Sequence, residues 1–394
     1  MGIQHATTGR TRFTCAVVGL GAIGSGAAYW LARRLGGDVV AFEQFPLGHQ
    51  RGSSQDHSRV IRHSYFSPLY TRMTRQMFDV LHEVEAESGK RLVLHTGGLE
   101  FFETAVDDSV RQLELNATSM DAAGHPYERL DAAEIMRRFP QWRLPEDTQG
   151  LFQPEGGLID IGLSCATHIA LAEAHGAEIR AGTEVTRLEP GADGVRIHTD
   201  QGHVDADHVI VACNRWTNRV LAGIWQVPME LRRAQFAYVR MPDLERYRPE
   251  RFPVWVRPGN PCFYGFPAYG LPAIKVSEDH GGAPIGLSDE VNTYDPDQSR
   301  DVIDYLRTHL ADPIGEPLLY RSCVYDLLPD YHFVIDRVPT APRVLVGLGA
   351  AHVAKFGSLV GRTLGELALD GATSVPVDGF EIDRPALVAG TAAA

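Results

Sequence analysis

Val17-Val18-Gly19-Leu20-Gly21-Ala22-Ile23-Gly24 stands between an apolar run that begins at Phe13 and a helix-like stretch through Arg34, and a second run over residues 38–42 ends at Glu43. Strand, glycine turn, helix, strand and acid in that order form the dinucleotide-binding fingerprint in its structural context. Gly19 permits the tight turn, Gly21 lets backbone approach a pyrophosphate, and Gly24 lets the helix pack closely on the strand, whose partner helix turns its free N–H groups toward the phosphates. Glu43, 24 residues beyond Gly19, is placed to accept a hydrogen bond from a ribose hydroxyl. Without that context the glycines would read as an ordinary strand-to-helix turn.

The chain has 394 residues, 44% of them hydrophobic, enough for a large core and two domains. Its formal net charge of −13, with scattered basic residues, offers no cationic stripe for a phosphate backbone, so nucleic acid is not an expected partner. Residues 1–11 are polar without an apolar signal core, and no run approaches the roughly 18 apolar residues of a membrane span. A soluble, cytoplasmic chain is expected, monomeric or a weak homodimer. Cys15, Cys165, Cys213, Cys262 and Cys323 are odd in number, far apart and without a CxxC pair, which argues against a disulfide framework and against a metal site.

Residues 48–63 are too long and too rich in Arg, Ser, Gln and His for a simple connector, and loops of that kind are usually functional. Helical periodicity runs over 68–90, followed by strands near 92–95 and 98–102. From Leu158 the pattern reads as a helix (164–174), strands at 178–180, 185–188 and 195–199, and the run His208-Val209-Ile210-Val211-Ala212, the β-branched signature of a strand buried on both faces of a parallel sheet. Residues 228–320 hold strands near 235–240, 253–256, 263–266 and 273–276 without alternating helices, which predicts mixed antiparallel sheet. Val344-Leu345-Val346-Gly347-Leu348 reads as a last buried strand, followed by a helix over 357–369 whose amino end points at the nucleotide. The fold class is therefore α/β (α+β). A discontinuous nucleotide domain takes residues 1–90, 150–227 and 321–394, and a substrate domain takes 91–149 and 228–320.

Four separated segments sharpen this: Ser58-Arg59-Val60-Ile61-Arg62-His63; Phe263-Tyr264-Gly265-Phe266-Pro267 with Lys275; Ser322-Cys323-Val324-Tyr325 with His332-Phe333-Val334-Ile335-Asp336; and His352 to Phe356. In order and spacing the chain, from Phe13 to Leu387, resembles the monomeric sarcosine oxidase and N-methyltryptophan oxidase family, flavoenzymes that oxidise secondary amines of amino acids. The resemblance implies that the nucleotide is FAD, tethered through Cys323, and that the first domain is of Rossmann type. The cofactor-binding set is then Gly19, Gly21, Gly24, Glu43, Arg59, Val185, Cys323 and Tyr325.

Read as residues, Arg59 and Arg62 are three apart, which on a helical turn would put both guanidinium groups on one side, as an anion clamp or, more often, as a solvated face. The resemblance assigns Arg62 to the substrate carboxylate and Arg59 to the flavin. Lys275 ends an apolar strand and would ordinarily reach solvent; the resemblance puts it over the flavin ring, where a fixed positive charge stabilises superoxide forming from O2. Cys323 alone would be a buried hydrophobe; the resemblance makes it the thioether anchor, which holds the cofactor in register and raises its potential. Lys355 and His352 follow the turn Gly347-Leu348-Gly349 at a strand end, where open α/β sheets bind ligands. The family uses the matching lysine on the carboxylate and the histidine as a pocket wall, although a structural histidine reads as well. Tyr264 is a pocket tyrosine or a core one.

The chain departs from the family at Val353-Ala354, at the longer, more acidic run from Lys275 to His280, and at Trp255, which stands where sarcosine oxidase has a methionine beside the substrate. A larger indole there would redraw the cavity, so sarcosine itself is doubtful and a secondary or cyclic amino acid is the expected substrate, with O2 as the second. The expected reaction passes a hydride to FAD N5, followed by imine hydrolysis and H2O2 formation. A primary-amine or glycine-type oxidase, or a biosynthetic imine-forming desaturase, is the alternative on the same fold; a flavin-bound sensor and a nicotinamide dehydrogenase are the more distant ones.

Overall fold

The computed structural model describes residues 9–105, 108–349 and 351–388. Strand Arg12–Val18, helix Ala22–Leu35 and strand Val39–Glu43 form the opening βαβ unit as the fingerprint predicts. Arg12–Val18 pairs in parallel with Val39–Glu43 on one side and with Gly202–Val211 on the other, and Glu178–Ala181 extends the sheet in parallel beyond Val39–Glu43. The long strand Gly202–Val211 has two uses. Its first half pairs with Val195–Thr199 in an antiparallel meander, and Val209, Ile210 and Val211 pair in parallel with Val344, Leu345 and Val346.

Alternation along the strands divides the core. Cys15, Val17, Val39 and Ala41 pack with the helices, and Ala16, Val18, Val40 and Phe42 pack with the meander side, so both faces of the sheet are covered. Helix Gly357–Asp370 crosses Ala22–Leu35 at glycines on both partners. A Cβ on Gly361 would lie 2.3 Å from the Ala27 nitrogen, and one on Gly26 would lie 2.9 Å from the Gly357 oxygen. The amino end of this helix therefore packs on its neighbour, and Val353 and Ala354 just before it line the nucleotide cavity.

The second sheet is nine-stranded among the described residues, in the order Ala283–Pro284, Glu230–Val239, Ile274–Asp279, Cys262–Phe266, Val254–Arg257, Gly98–Glu103, Thr148–Gln153 and Glu128–Asp131, with Pro317–Leu327 also paired to Glu230–Val239. It is antiparallel except where Val254–Arg257 runs parallel to Gly98–Glu103, which matches the predicted mixed sheet. Two segments fall outside the expected division. Thr148–Gln153 and Pro317–Leu327, the latter carrying Cys323 and Tyr325, hydrogen-bond into this second sheet and not into the first. Arg59–Ile61, Gly157–Ile159 and Val93–Leu94 make a third, three-stranded sheet. Helices Ser109–Ala123 and Arg300–His309 were not anticipated from the sequence pattern.

Candidate active site

The glycine turn opens into a cavity of about 1580 Å³, larger than the roughly 300–1,000 Å³ of most small-molecule sites, so it has room for a dinucleotide. Gly19, Gly21, Glu43 and Val185 line it, together with Ser53, Ser54, Gln55, Asp56 and the turn Gly347 to Gly349. Gly19 has φ +91°, and a Cβ there would lie 2.5 Å from the Ala212 carbonyl oxygen; on Gly24 a Cβ would lie 1.8 Å from the Gly19 oxygen. Only glycine is tolerated at either position. Gly24 thus serves the helix–strand contact and does not line the cavity.

The Glu43 carboxylate is buried and accepts from the backbone nitrogens of Leu20 at 3.0 Å and Phe45 at 3.1 Å, with the His49 ring 3.4 Å away. Burial alone would raise its pKa, but His49 and the two N–H donors outweigh that and hold it below the ordinary value. At the helix start the Ala22 N–H donates to Ser54 Oγ at 2.8 Å, which fixes the polar loop against the glycine turn.

The same loop is stitched to the strand that carries Cys323. Ser53 Oγ donates to the Val324 carbonyl and Gln55 Nε2 donates to the Ser322 carbonyl, bracketing the cysteine. Cys323 is buried, which raises its thiol pKa, while the charges of Arg59 and Lys275 pull it back down. Burial outweighs both charges, so the thiol pKa stays above its ordinary value. Arg59 donates to the carbonyls of Ser58 at 2.7 Å and Ser53 at 2.8 Å. Tyr264 and Tyr325 interact nearby, their phenol pKa values raised by burial, that of Tyr264 to about 12.

Lys275 is 2% exposed. Its Nζ donates to Asp56 Oδ2 at 2.5 Å and to the Ser58 carbonyl at 3.0 Å, and lies 4.2 Å and 4.9 Å from the ring centres of Phe236 and Phe266. Burial lowers its pKa to about 8, with Asp56 opposing the fall and Arg59 adding to it.

Arg62 and Lys355 form a separate cationic group. The Arg62 Cζ lies 5.2 Å and the Lys355 Nζ 5.4 Å from the centre of the same ring, Tyr65. Arg62 donates through Nη1 to Glu100, a 1% exposed carboxylate that also accepts from Ser64 Oγ and Asn116 Nδ2, each at 2.7 Å. Arg62 Nε is buried with no partner among the described residues. Lys355 has no ion-pair partner among them either; burial, then the charge of Arg62, lower its pKa to about 7. His352 packs on Phe333 at 4.7 Å and Tyr70 at 4.8 Å, and its Nε2 donates to the Tyr331 carbonyl at 3.2 Å. Burial, followed by the Lys355 charge, lowers its pKa to about 3, so this ring is neutral at working pH.

One expectation is corrected. Arg59 and Arg62 do not share one side of a helical turn, because Arg59–Ile61 is a strand paired with Gly157–Ile159; the extended chain sends Arg59 toward Cys323 and Arg62 toward Glu100. Trp255 is fully buried and does not line the nucleotide cavity. It pairs with Gly265 while Tyr264 pairs with Val256, and alternation turns the indole to the opposite face, where it packs over Gly265 against Phe101 and Trp142. Asp56, Glu100, Tyr65, Tyr238 and Arg321 are site residues that the sequence reading did not single out. Only the length and polarity of residues 48–63 pointed toward the first of them.

Residues 14–367 match the model of the FAD dependent oxidoreductase family, DAO. The chain belongs to this family. The monomeric sarcosine oxidase of Streptomyces avermitilis is 33% identical over 380 residues, 93% of this chain and 96% of the relative. The N-methyl-L-tryptophan oxidase of Citrobacter koseri is 28% identical over 385 residues, 95% and 99% of the two chains. The solved structure of NikD, an unusual amino acid oxidase essential for nikkomycin biosynthesis, matches with a TM-score of 0.81 at 28% identity, over 94% of this chain and 97% of that one. The resemblance read from the four segments is thereby borne out, and the protein is an FAD-dependent oxidoreductase. The glycine cradle, the acid at the end of the second strand and the size of the cavity fit that cofactor. Among the described residues no group of three or more His, Cys, Asp or Glu side chains is placed to hold a metal ion, and no helix is long and apolar enough to cross a membrane.

Proposed function

We propose that the protein oxidises the secondary amine of an N-methyl or cyclic amino acid, with FAD bound covalently through Cys323 and O2 as electron acceptor. One observation carries the reading: the partly buried Arg62 and the buried Lys355 converge on Tyr65, and Glu100 is the one buried carboxylate in contact with either, among the described residues. Asp279 acts on both cations from a distance, but no carboxylate contacts Lys355 among the described residues, and a substrate carboxylate supplies that contact. The names of the relatives point to the same class, sarcosine and N-methyl-L-tryptophan.

Glu100 occupies Arg62 Nη1, leaving Nε and Nη2 to grip the incoming carboxylate side-on, the planar fork that arginine offers such groups. Lys355, poised near neutrality, takes its proton when that anion arrives. Neutral His352 and Tyr264 wall the amine without adding charge, which favours an unprotonated nitrogen. FAD, held by the glycine turn at Gly19 and Gly21 and by Glu43, would supply the hydride acceptor for the carbon beside that nitrogen and the two-electron donor for O2. Lys275 supplies positive charge where oxygen is reduced. The imine then hydrolyses in water and H2O2 leaves. The reading carries with it a small-molecule substrate, a cytoplasmic setting and a monomer or weak homodimer.

The test is a peroxide assay across N-methylated, cyclic and primary amino acids, with product analysis for aldehyde, ammonia or a retained double bond. Turnover confined to primary amines, or an imine product kept as a ring unsaturation without O2 consumption, overturns the assignment in favour of the glycine-type or desaturase chemistry.

A further inference from the structure

Asp56 has no part in the scheme above, and its surroundings are unusual. It adopts φ +80°, a conformation that residues with a side chain rarely take, and its side chain is 0% exposed. Its carboxylate accepts from Lys275 Nζ at 2.5 Å, from the Tyr238 hydroxyl at 2.8 and 2.9 Å, and from Arg321 Nη1 at 3.0 Å. The residue lines the nucleotide cavity, so it joins the polar loop to the second sheet at the point where Lys275 is held.

Lys275 lies among like charges. Arg59 lowers its pKa, and Arg321 reaches the same carboxylate; Cys323 and the neutral Tyr238 hydroxyl complete its titratable neighbours. Ser58 offers a carbonyl, and Phe236 and Phe266 offer ring faces. Asp56 is thus the one carboxylate in contact with a buried ammonium that has two guanidinium groups nearby, among the described residues. Removing that anion leaves three cations and no counter-charge, and a buried lysine in such a place sheds its proton.

We propose that Asp56 is a positioning residue for Lys275: its carboxylate fixes the ammonium behind the loop that lines the cavity and keeps the proton on that nitrogen through the working pH range. The inference rests on the role given to Lys275 in oxygen reduction. A second contribution is geometric, since the left-handed backbone at Asp56 aims the carboxylate between Lys275 and Arg321. The ammonium therefore points one way before cofactor or oxygen is present.

Lys90, Lys275 and Lys355 are the chain's only lysines, which makes the claim directly measurable. The flavin-loaded protein labelled with 13C at lysine Cε gives three resonances, and Lys275→Met identifies one of them. In Asp56→Asn the Lys275 titration is expected to move roughly one to three pH units to acid, as loss of a contacting opposite charge implies. The pH at which oxygen reoxidises the reduced flavin at half its maximal rate should move with it, the amine half-reaction staying put. Asp56→Glu should restore both. Should Asp56→Asn not fold, Arg321→Met carries the test, because removing the competing cation moves the Lys275 titration to alkaline. A Lys275 resonance that titrates as in the parent in Asp56→Asn, or in Arg321→Met, overturns the proposal. A resonance that shifts as expected while the reoxidation profile stays still supports the hold of Asp56 on Lys275 and refutes the oxygen role of the lysine instead.

Discussion

Arg62→Met separates what the carboxylate grip does for folding from what it does for substrate. Glu100 is 1% exposed and receives three donors, Arg62 Nη1, Ser64 Oγ and Asn116 Nδ2. With the arginine gone, its charge stays buried on two neutral groups. Deleting one partner of a buried pair costs about 3–5 kcal/mol. The Arg62 side chain is 20% exposed, so some water reaches the gap and the lower end, about 3 kcal/mol, is expected. Adding Glu100→Gln removes the stranded charge while leaving an amide oxygen for Ser64 and Asn116, so the double variant should regain most of the stability. Substrate recognition should not return with it. Losing a charged partner for a buried carboxylate costs about 2–5 kcal/mol, or roughly 30-fold to several-thousand-fold in KM at about 1.4 kcal/mol per tenfold. Urea midpoints of equally flavin-loaded proteins and KM in the peroxide assay give the two readouts. A single variant as stable as the parent, or a double variant with parental KM, refutes the reasoning.

Three further outcomes are expected. A carboxylic acid lacking the amine should bind less tightly as pH rises through about 7, where free Lys355 gives up its proton, and Lys355→Met should make that affinity weak and flat with pH; a fluorescence or absorbance titration of the flavin reads it. The denatured parent should carry the mass of polypeptide plus FAD, and Cys323→Ser that of polypeptide alone; equal masses sink the tether. His168 is buried, its Nδ1 donating to the Ser164 carbonyl at 2.6 Å and its Nε2 accepting from Ser358 Oγ at 2.8 Å, and burial lowers its pKa from 6.5 to about 4. Unfolded chains take up that proton below about pH 6.5 and the folded one resists until about 4, so stability is full above 6.5 and falls as pH drops through this window, by about 3 kcal/mol at most. His168→Gln should flatten that slope in denaturation curves taken between pH 4 and 7.

The first sheet was readable because its strands are buried on both faces and spell their burial in β-branched runs, as Val209-Ile210-Val211 does, and because only glycine fits at Gly19 and Gly24. Helices Ser109–Ala123 and Arg300–His309 were not legible because each buries only part of its surface under a polar exterior. The face Trp255 meets was not legible, because one position along a strand decides it and the sequence does not report the register that pairs Trp255 with Gly265 and Tyr264 with Val256. Glu100 looked like any acid in a strand, and only the fold brings Arg62 and Ser64 from one segment and Asn116 from another onto it.

Because Cys323 rides on Pro317–Leu327, it belongs to the sheet opposite the one that cradles the phosphates. A thioether at that sulfur would turn the cofactor into a crossbar, clamped at one end by the glycine turn and at the other by a strand of the neighbouring half. Wide parting of the two halves would then tug on the ring it is meant to serve. With that bond in place, the substrate would have to enter by movement of small pieces at the rim, and the two halves would travel as one.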